Sequence, residues 1–208
     1  MRTIIGRAAV RAALETPVPA VPPAAAGVLW LRAHVARFST GPAHTRRRRL
    51  AEAELARIPP DELGRRAAGR GGQPVAVLAE ALGIAVDPTD VVAVAAAYQP
   101  HTAVTPEADA AVERLVAASG GTHDERTAAR IGLLVQACDA TAALVRTARE
   151  RKTSVADVLC DEPPVRFTRR GGALVDLASA GLPFGAGPHA CPGREHALAL
   201  AEGLLEHR

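Results

Sequence analysis

The sequence predicts a mainly α-helical fold with little β structure, laid out as a single domain over residues 1–208. Three observations carry this. Apolar residues recur at helical spacing in one stretch after another, most clearly from Glu125 to Arg149, where Ile131, Leu134, Val135, Cys138, Ala142 and Val145 share a face. Proline and glycine clusters punctuate those stretches at short intervals. Only one short run, Val165 to Thr168, reads as strand. No internal repeat is present, which excludes a solenoid.

Taken in order, Ile4 to Leu14 has a short helical pattern that ends at Pro17, Pro19, Pro22 and Pro23, where the chain loses both amide donors and helical freedom. Val28, Leu31, Val35 and Phe38 mark a helix that Gly41-Pro42 then breaks, and His44 to Leu55 forms the next one. Pro59-Pro60 and Gly69 to Gly72 bracket a loose, arginine-rich stretch. Pro74 to Leu82 is helical with Gly83 as its C-terminal stop, and Asp87 to Gln99, rich in Ala and Val, is read as helix. Thr105-Pro106-Glu107 supplies a cap, a first-turn proline and an acid for a helix ending at Gly120-Gly121. The long central helix follows. Thr153 or Ser154 caps a short one through Leu159, Pro163-Pro164 ends it, Gly181 to Gly193 is a glycine-rich loop, and Glu195 to Glu206 is terminal helix.

Composition narrows the function classes. The chain is 48% apolar and 23% charged, which excludes wholesale disorder, and aromatic residues are only 2%. A core of small side chains calls for many close helix contacts or for a bulky apolar group bound inside. The net charge is +3 and Lys152 is the single lysine, so arginine, suited to carboxylates and phosphates, carries the positive charge. Cys138, Cys160 and Cys191 are too scattered for a disulfide framework or a four-cysteine zinc site, which fits a reducing cytoplasm. The amino terminus lacks a long apolar core, and no uninterrupted run of about 18 apolar residues is available to span a membrane.

The chemistry concentrates in Phe184-Gly185-Ala186-Gly187-Pro188-His189-Ala190-Cys191-Pro192-Gly193. Its glycines allow tight turns and close approach to a ligand, and a helix starting at Pro192-Gly193 points its free amides at Cys191. Such amides favour a thiolate, the form of sulfur that ligates iron. His44 and Arg48, four apart on one helix face, can grip one anionic group. Asp139 and Thr141 place an acid and a hydroxyl on the long helix, a pairing able to move protons.

The cysteine segment resembles the haem-ligand loop of the cytochrome P450 family, Phe-x-Gly-x-x-x-Cys-x-Gly, with histidine two positions before the cysteine. By that resemblance Cys191 is the proximal ligand of a haem b iron, His189 bonds a haem propionate, Phe184 packs near the sulfur, and Gly193 completes the motif. The alternative for this segment is a glycine-rich turn around a buried, inert cysteine. His44 and Arg48 match the family's His-x-x-x-Arg propionate pair; the alternative for Arg46 to Arg49 is a solvated face or a basic strip for nucleic acid. Leu134 to Leu144 is similar to the family's I helix, although Ala140 stands where an alcohol usually follows the acid. Arg170, rather than Arg169, aligns with the strand arginine that holds a propionate. 

Departures are also legible. The chain is much shorter than family members, the first helix and late hairpins are expected to be missing, and only Gly171 to Pro183 fills the interval that usually holds further strands and the meander. The family's Glu-x-x-Arg appears as Asp157-Val158-Leu159-Cys160, and a thiol replaces neither the charge nor the fork of a guanidinium. The resemblance implies a truncated P450-like helical fold and a monooxygenase acting on a small apolar substrate with electrons from a separate ferredoxin or reductase, with no nucleic acid and no membrane involved. A non-catalytic remnant, serving as a haem-binding or protein-interaction scaffold, is the alternative. An arginine-rich nucleic-acid binder lacks any aromatic stacking platform to support it.

Overall fold

The protein is described by a computed structural model over residues 2–207. Its organising element is helix α8, Glu125–Arg151, 27 residues long. The Asp124 carboxylate accepts from the Thr127 N–H at 2.8 Å to start it, and Lys152, in a left-handed conformation (φ 51°), closes it. Ile131, Leu134, Val135, Cys138, Leu144 and Val145 are buried along its length. It is the one helix among the described residues with the length and hydropathy to cross a bilayer, and 56% of its most apolar window is buried against the other helices.

Around α8 pack α2 (Gly27–His34), α3 (Gly41–Leu55), α5 (Pro74–Ala81), α6 (Pro88–Ala97), α7 (Pro106–Ser119), α9 (Val155–Asp161) and α10 (Arg194–Glu206). Helix α4 (Pro60–Arg70) lies outside them, packed on α10 and α5. Small residues allow these approaches: the α4–α10 crossing is made at Gly64 and Gly203. Helix α2 has no capping side chain of its own. Its first free amides are met instead from α7, where Asp109 accepts from Val28 N at 2.8 Å and Glu113 from Gly27 N at 3.2 Å.

Arginines tie the remaining ends. Arg32, buried in α2, donates to the carbonyls of Ala97, Tyr98, Gln99 and Thr102 at the end of α6. Arg130 reaches the carbonyls of Ser119 and Leu82, and Arg149 that of Leu204. Glu54 on α3 is buried between Arg57, Arg126 and Arg130, clamping α3 to α8.

A second, smaller layer holds α1 (Arg7–Leu14) and a three-stranded sheet of order β1-β3-β2, formed by Thr3–Ile4, Ala173–Asp176 and Phe167–Arg170. Strand β1 runs parallel to β3, and β2 is antiparallel to it with Arg170 opposite Ala173. The hairpin turn is Gly171-Gly172, both with positive φ (53° and 76°), as a two-residue type I′ turn requires. Val10, Leu14, Val175, Leu177, Ala180 and Leu182 form its separate core.

The mainly helical expectation holds, with three local corrections. Ile4 opens no helix: it pairs with Val175 in β1, and α1 begins after Gly6. Gly41-Pro42 begins α3 rather than breaking a pattern, because proline in a first turn lacks only an amide that has no helical partner there. The stretch between Pro59-Pro60 and Gly69 is helix α4, not a loose segment; Leu63 and Ala67 bury one face against α10, and this packing overrides the two glycines within it.

Candidate functional site

The cysteine loop runs from Phe184 to Gly193 and is closed by one hydrogen bond across its base, from Cys191 N to Phe184 O at 2.9 Å. Gly185 and Gly187 both take positive φ (73° and 68°), and Pro188 sits in a 3-10 turn over Gly187–His189. The loop rests on α1: a side chain at Gly187 would run into the Glu15 carboxylate. Its far end leads into α10, whose first turn is fixed when His196 meets the carbonyls of Leu55 and Ile58 at 3.1 and 2.8 Å.

Cys191 is open to solvent on one side and crowded on the other. Burial pushes its thiol up from the usual range, while the Gly193 N–H and the charges of Arg48 and Arg37 pull it down. The amides and cations are placed as the sequence suggests, but desolvation outweighs them, so the net shift favours the thiol over the thiolate.

Beside the sulfur stands a group of basic side chains. The imidazoles of His44 and His189 lie 4.2 Å apart between centroids, tilted by 49°. His189 is depressed to about 4, by desolvation first and then by His44, Arg170, Arg48 and Arg37. His44 is buried and also lowered, and its Nε2 has no hydrogen-bond partner among the described residues. Arg170 at the end of β2 is lowered by burial and by Arg37, and its Nε is likewise buried and unpaired; its Nη1 donates to Arg169 O at 2.8 Å. Arg48 donates through Nη1 to the carbonyls of Ala190 and Pro188 and through Nε to Glu52 at 2.6 Å. The loop, α3 and β2 therefore bring Cys191, His189, His44, Arg48 and Arg170 together, with Glu52, among the described residues, the one carboxylate bonded to any of them.

The other expected residues fall elsewhere or differ in detail. Gly193 lies 3.5 Å, at the position of an added Cβ, from Leu55. Phe184 joins the loop through its carbonyl, and its ring lies under the Arg194 guanidinium at 5.5 Å. On α8, Asp139 is exposed, burial first and then the Asp139 carboxylate raise the Cys138 thiol, and Thr141 is buried. No hydrogen bond, ion pair or ring contact joins either to the cysteine loop among the described residues. Asp157 is taken up by a capping box with Ser154, its carboxylate also accepting from the Thr153 hydroxyl at 2.8 Å. Arg37, in the 3-10 turn Ala36–Phe38 that follows α2, escaped the sequence reading. Nothing in its spacing marks it; only folding of that turn brings its charge to bear on Arg170, His189 and Cys191.

No family model matches the sequence, and no curated protein matches it either. Solved structures do. P450BioI, crystallised in complex with hexadec-9Z-enoic acid ligated acyl carrier protein, superposes with a TM-score of 0.66 at 13% identity, spanning 98% of this chain and 83% of that one. A variant of CYP105P1 superposes at 0.56 with 17% identity, spanning 98% and 80%. The chain has a truncated cytochrome P450-like fold. Within that fold, the cysteine loop precedes α10, the long helix is α8, and β2 carries the clustered arginine Arg170.

Proposed function

We propose that the chain is a haem-thiolate protein of cytochrome P450 type, with Cys191 as the iron ligand, acting as a monooxygenase on a small apolar substrate in the cytoplasm. The observation that carries this reading is the meeting of an exposed cysteine with buried, unpaired nitrogens on His44 and Arg170. Unpaired buried polar atoms are costly, and a ligand bearing carboxylates beside an apolar disc satisfies them. Among the described residues no group of three or more His, Cys, Asp and Glu side chains can hold a metal. Iron held by Cys191 would bring its remaining ligands with it, as porphyrin iron does. The residues present fit haem b.

Cys191 would hold the iron, and the rigid Gly185–Gly187 turns fix the direction of its sulfur. Coordination lowers a thiol's pKa, so the Gly193 N–H and the neighbouring guanidiniums would then share the thiolate's charge. Haem bound there would supply dioxygen activation: two electrons from a separate ferredoxin or reductase and two protons turn O2 and a substrate C–H into an alcohol and water. Exposed Asp139 and buried Thr141 on α8 would be the acid and the hydroxyl of its proton supply.

One test is reconstitution with haemin followed by reduction under carbon monoxide. The expected result is the red-shifted Soret band of a cysteinate-ligated carbonyl, lost in Cys191→Ala; a wild-type spectrum matching free haemin rejects the reading. A non-catalytic haem-binding or scaffold role is favoured by Asp157, whose carboxylate is engaged in helix capping rather than in an ion pair with an arginine. Peroxide- or reductase-driven turnover on apolar substrates separates the two, since a passive binder forms no product.

A further inference from the structure

We infer that the small layer, α1 with the three-stranded sheet, opens and closes as one unit against the helical bundle, a flap whose seam is the cysteine loop. The opening follows from the packing alone; its use as the entry for a porphyrin rests on the haem reading above.

Two observations set the border. The core around Val10, Leu14, Val175 and Leu177 shares no residue with the one built on α8, so no apolar cluster among the described residues ties the layers to each other. Arg169 apart, no hydrogen bond, ion pair or ring contact among the described residues runs directly from α1 or the sheet to α2–α10. Inside the small layer the ties are direct. Arg7 donates to Ala180 O at 3.1 Å, Leu174 N donates to Arg2 O at 2.9 Å, and β1 and β2 both pair with β3. Such a unit opens as a whole, because the burial and bonds within it are lost together while few are lost across its border.

The chain crosses that border three times. Residues 17–26 contain Pro17, Pro19, Pro22 and Pro23 and neither helix nor strand, which makes them a semi-rigid strap. Pro163-Pro164 separates α9 from β2. The third crossing is the cysteine loop, held from both sides. Ala186 packs on the small core and Gly187 lies against the Glu15 carboxylate of α1. Phe184 lies under Arg194 of α10, and Arg48 of α3 bonds the carbonyls of Pro188 and Ala190. Gly185 and Gly187, both at positive φ, sit where these holds change sides, so backbone rotation there lets the layers part. Opening carries Arg170 away with β2 and leaves His44 and Arg48 on α3, which widens the approach to Cys191 for a flat, bulky ligand.

The test is hydrogen exchange, read by mass spectrometry on the whole apo-chain in low denaturant. Peptides covering α1 and β3 are expected to open together, at least about tenfold more often than the middle of α8, Ile131 to Val145. Val175→Ala, at a site with 0% exposure, should speed exchange in α1 and β3 alike by about tenfold and leave α8 unchanged, and Val10→Ala should do the same from the helix side. Protection of α8 in the same sample shows that the bundle has folded. Exchange of α1, β3 and α8 at one rate, a response confined to the mutated element, or no protection of α1 and β3 in wild type overturns the flap. Haemin then tests its use: Val175→Ala should take up haemin about tenfold faster than wild type, since entry waits on opening. An unchanged rate overturns the entry role and leaves the flap and the haem reading intact. A wild type that takes up no haemin rejects the haem reading and the entry role with it, while the exchange result still decides the flap.

Discussion

Gly203 of α10 crosses Gly64 of α4 with no room for a side chain between them: a methyl on Gly203 would strike the Gly64 carbonyl and lie 3.0 Å from the Ala67 Cβ. The atoms in the way are backbone or a short methyl, so the helices must separate to admit it. Gly203→Ala gains at most about 1 kcal/mol of helix propensity and loses about 1–3 kcal/mol to overpacking, so a lower thermal midpoint is expected. Gly69→Ala, on the same helix as Gly64 but with open space at its Cβ, should raise the midpoint.

Glu54 is 3% exposed, while two of its partners, Arg57 and Arg126, are 58% and 64% exposed and remain hydrated without it. Arg130, at 17%, does not. Removing the carboxylate leaves Arg130 buried beside apolar helices, so Glu54→Ala should lower unfolding free energy by about 2 kcal/mol in urea titrations. Arg57→Ala, which removes only an exposed arm, should cost less than about 1 kcal/mol.

Acid sensitivity should come from two groups with opposite chemistry. Arg46 and then Arg47 hold the Glu125 carboxyl down at about 2 against an ordinary 4.5. Its contribution is complete above pH 4.5 and is lost as pH falls toward 2, because the unfolded chain takes up the proton first. His189, depressed to about 4 from 6.5, resists protonation when folded, so stability also declines as pH falls from 6.5 to 4. In apo-protein melts across pH, Glu125→Gln should flatten the lower limb and His189→Gln the upper one; an unchanged profile in both would remove these groups as the cause.

Arg32 bonds four carbonyls at the end of α6, among them Ala97 at 2.5 Å and Gln99 at 2.6 Å. Arg32→Ala takes this donor from the Ala97 and Tyr98 carbonyls in a buried corner and should cost about 3 kcal/mol by chemical denaturation. Arg32→Lys should recover little, since an ammonium lacks the planar spread that reaches them together.

The sequence made the helices legible where punctuation was chemical: Thr105 caps α7 and Ser154 caps α9, and Gly83 and Gly120 stop α5 and α7 as their positive φ allows. It misled where tertiary packing decided. Helix α4 has two internal glycines and many charges, and it exists because Leu63 and Ala67 meet α10. Strand β1 is two residues long and has meaning only beside β3, whose paired residues lie 171 positions away. For the site, the loop motif located Cys191 and His189, and helical spacing placed His44 with Arg48. The direction of the thiol's shift was hidden, because amide placement can be read from a motif but the amount of protein crowded around a sulfur cannot. Arg37 was hidden for the same reason: its role depends on where a three-residue turn sets it down.

Lys152 closes α8 and is the chain's single lysine. A lysine-specific protease therefore has one bond to cut, and the cut would divide residues 1–152, which hold most of the helical bundle, from 153–208, which hold the β2–β3 hairpin, the cysteine loop and α10. Helix α10 is clasped by α4 and α8, so the two pieces should stay associated after cleavage. The nicked protein would then be a two-part assembly whose sulfur-bearing half can be exchanged for a synthetic one.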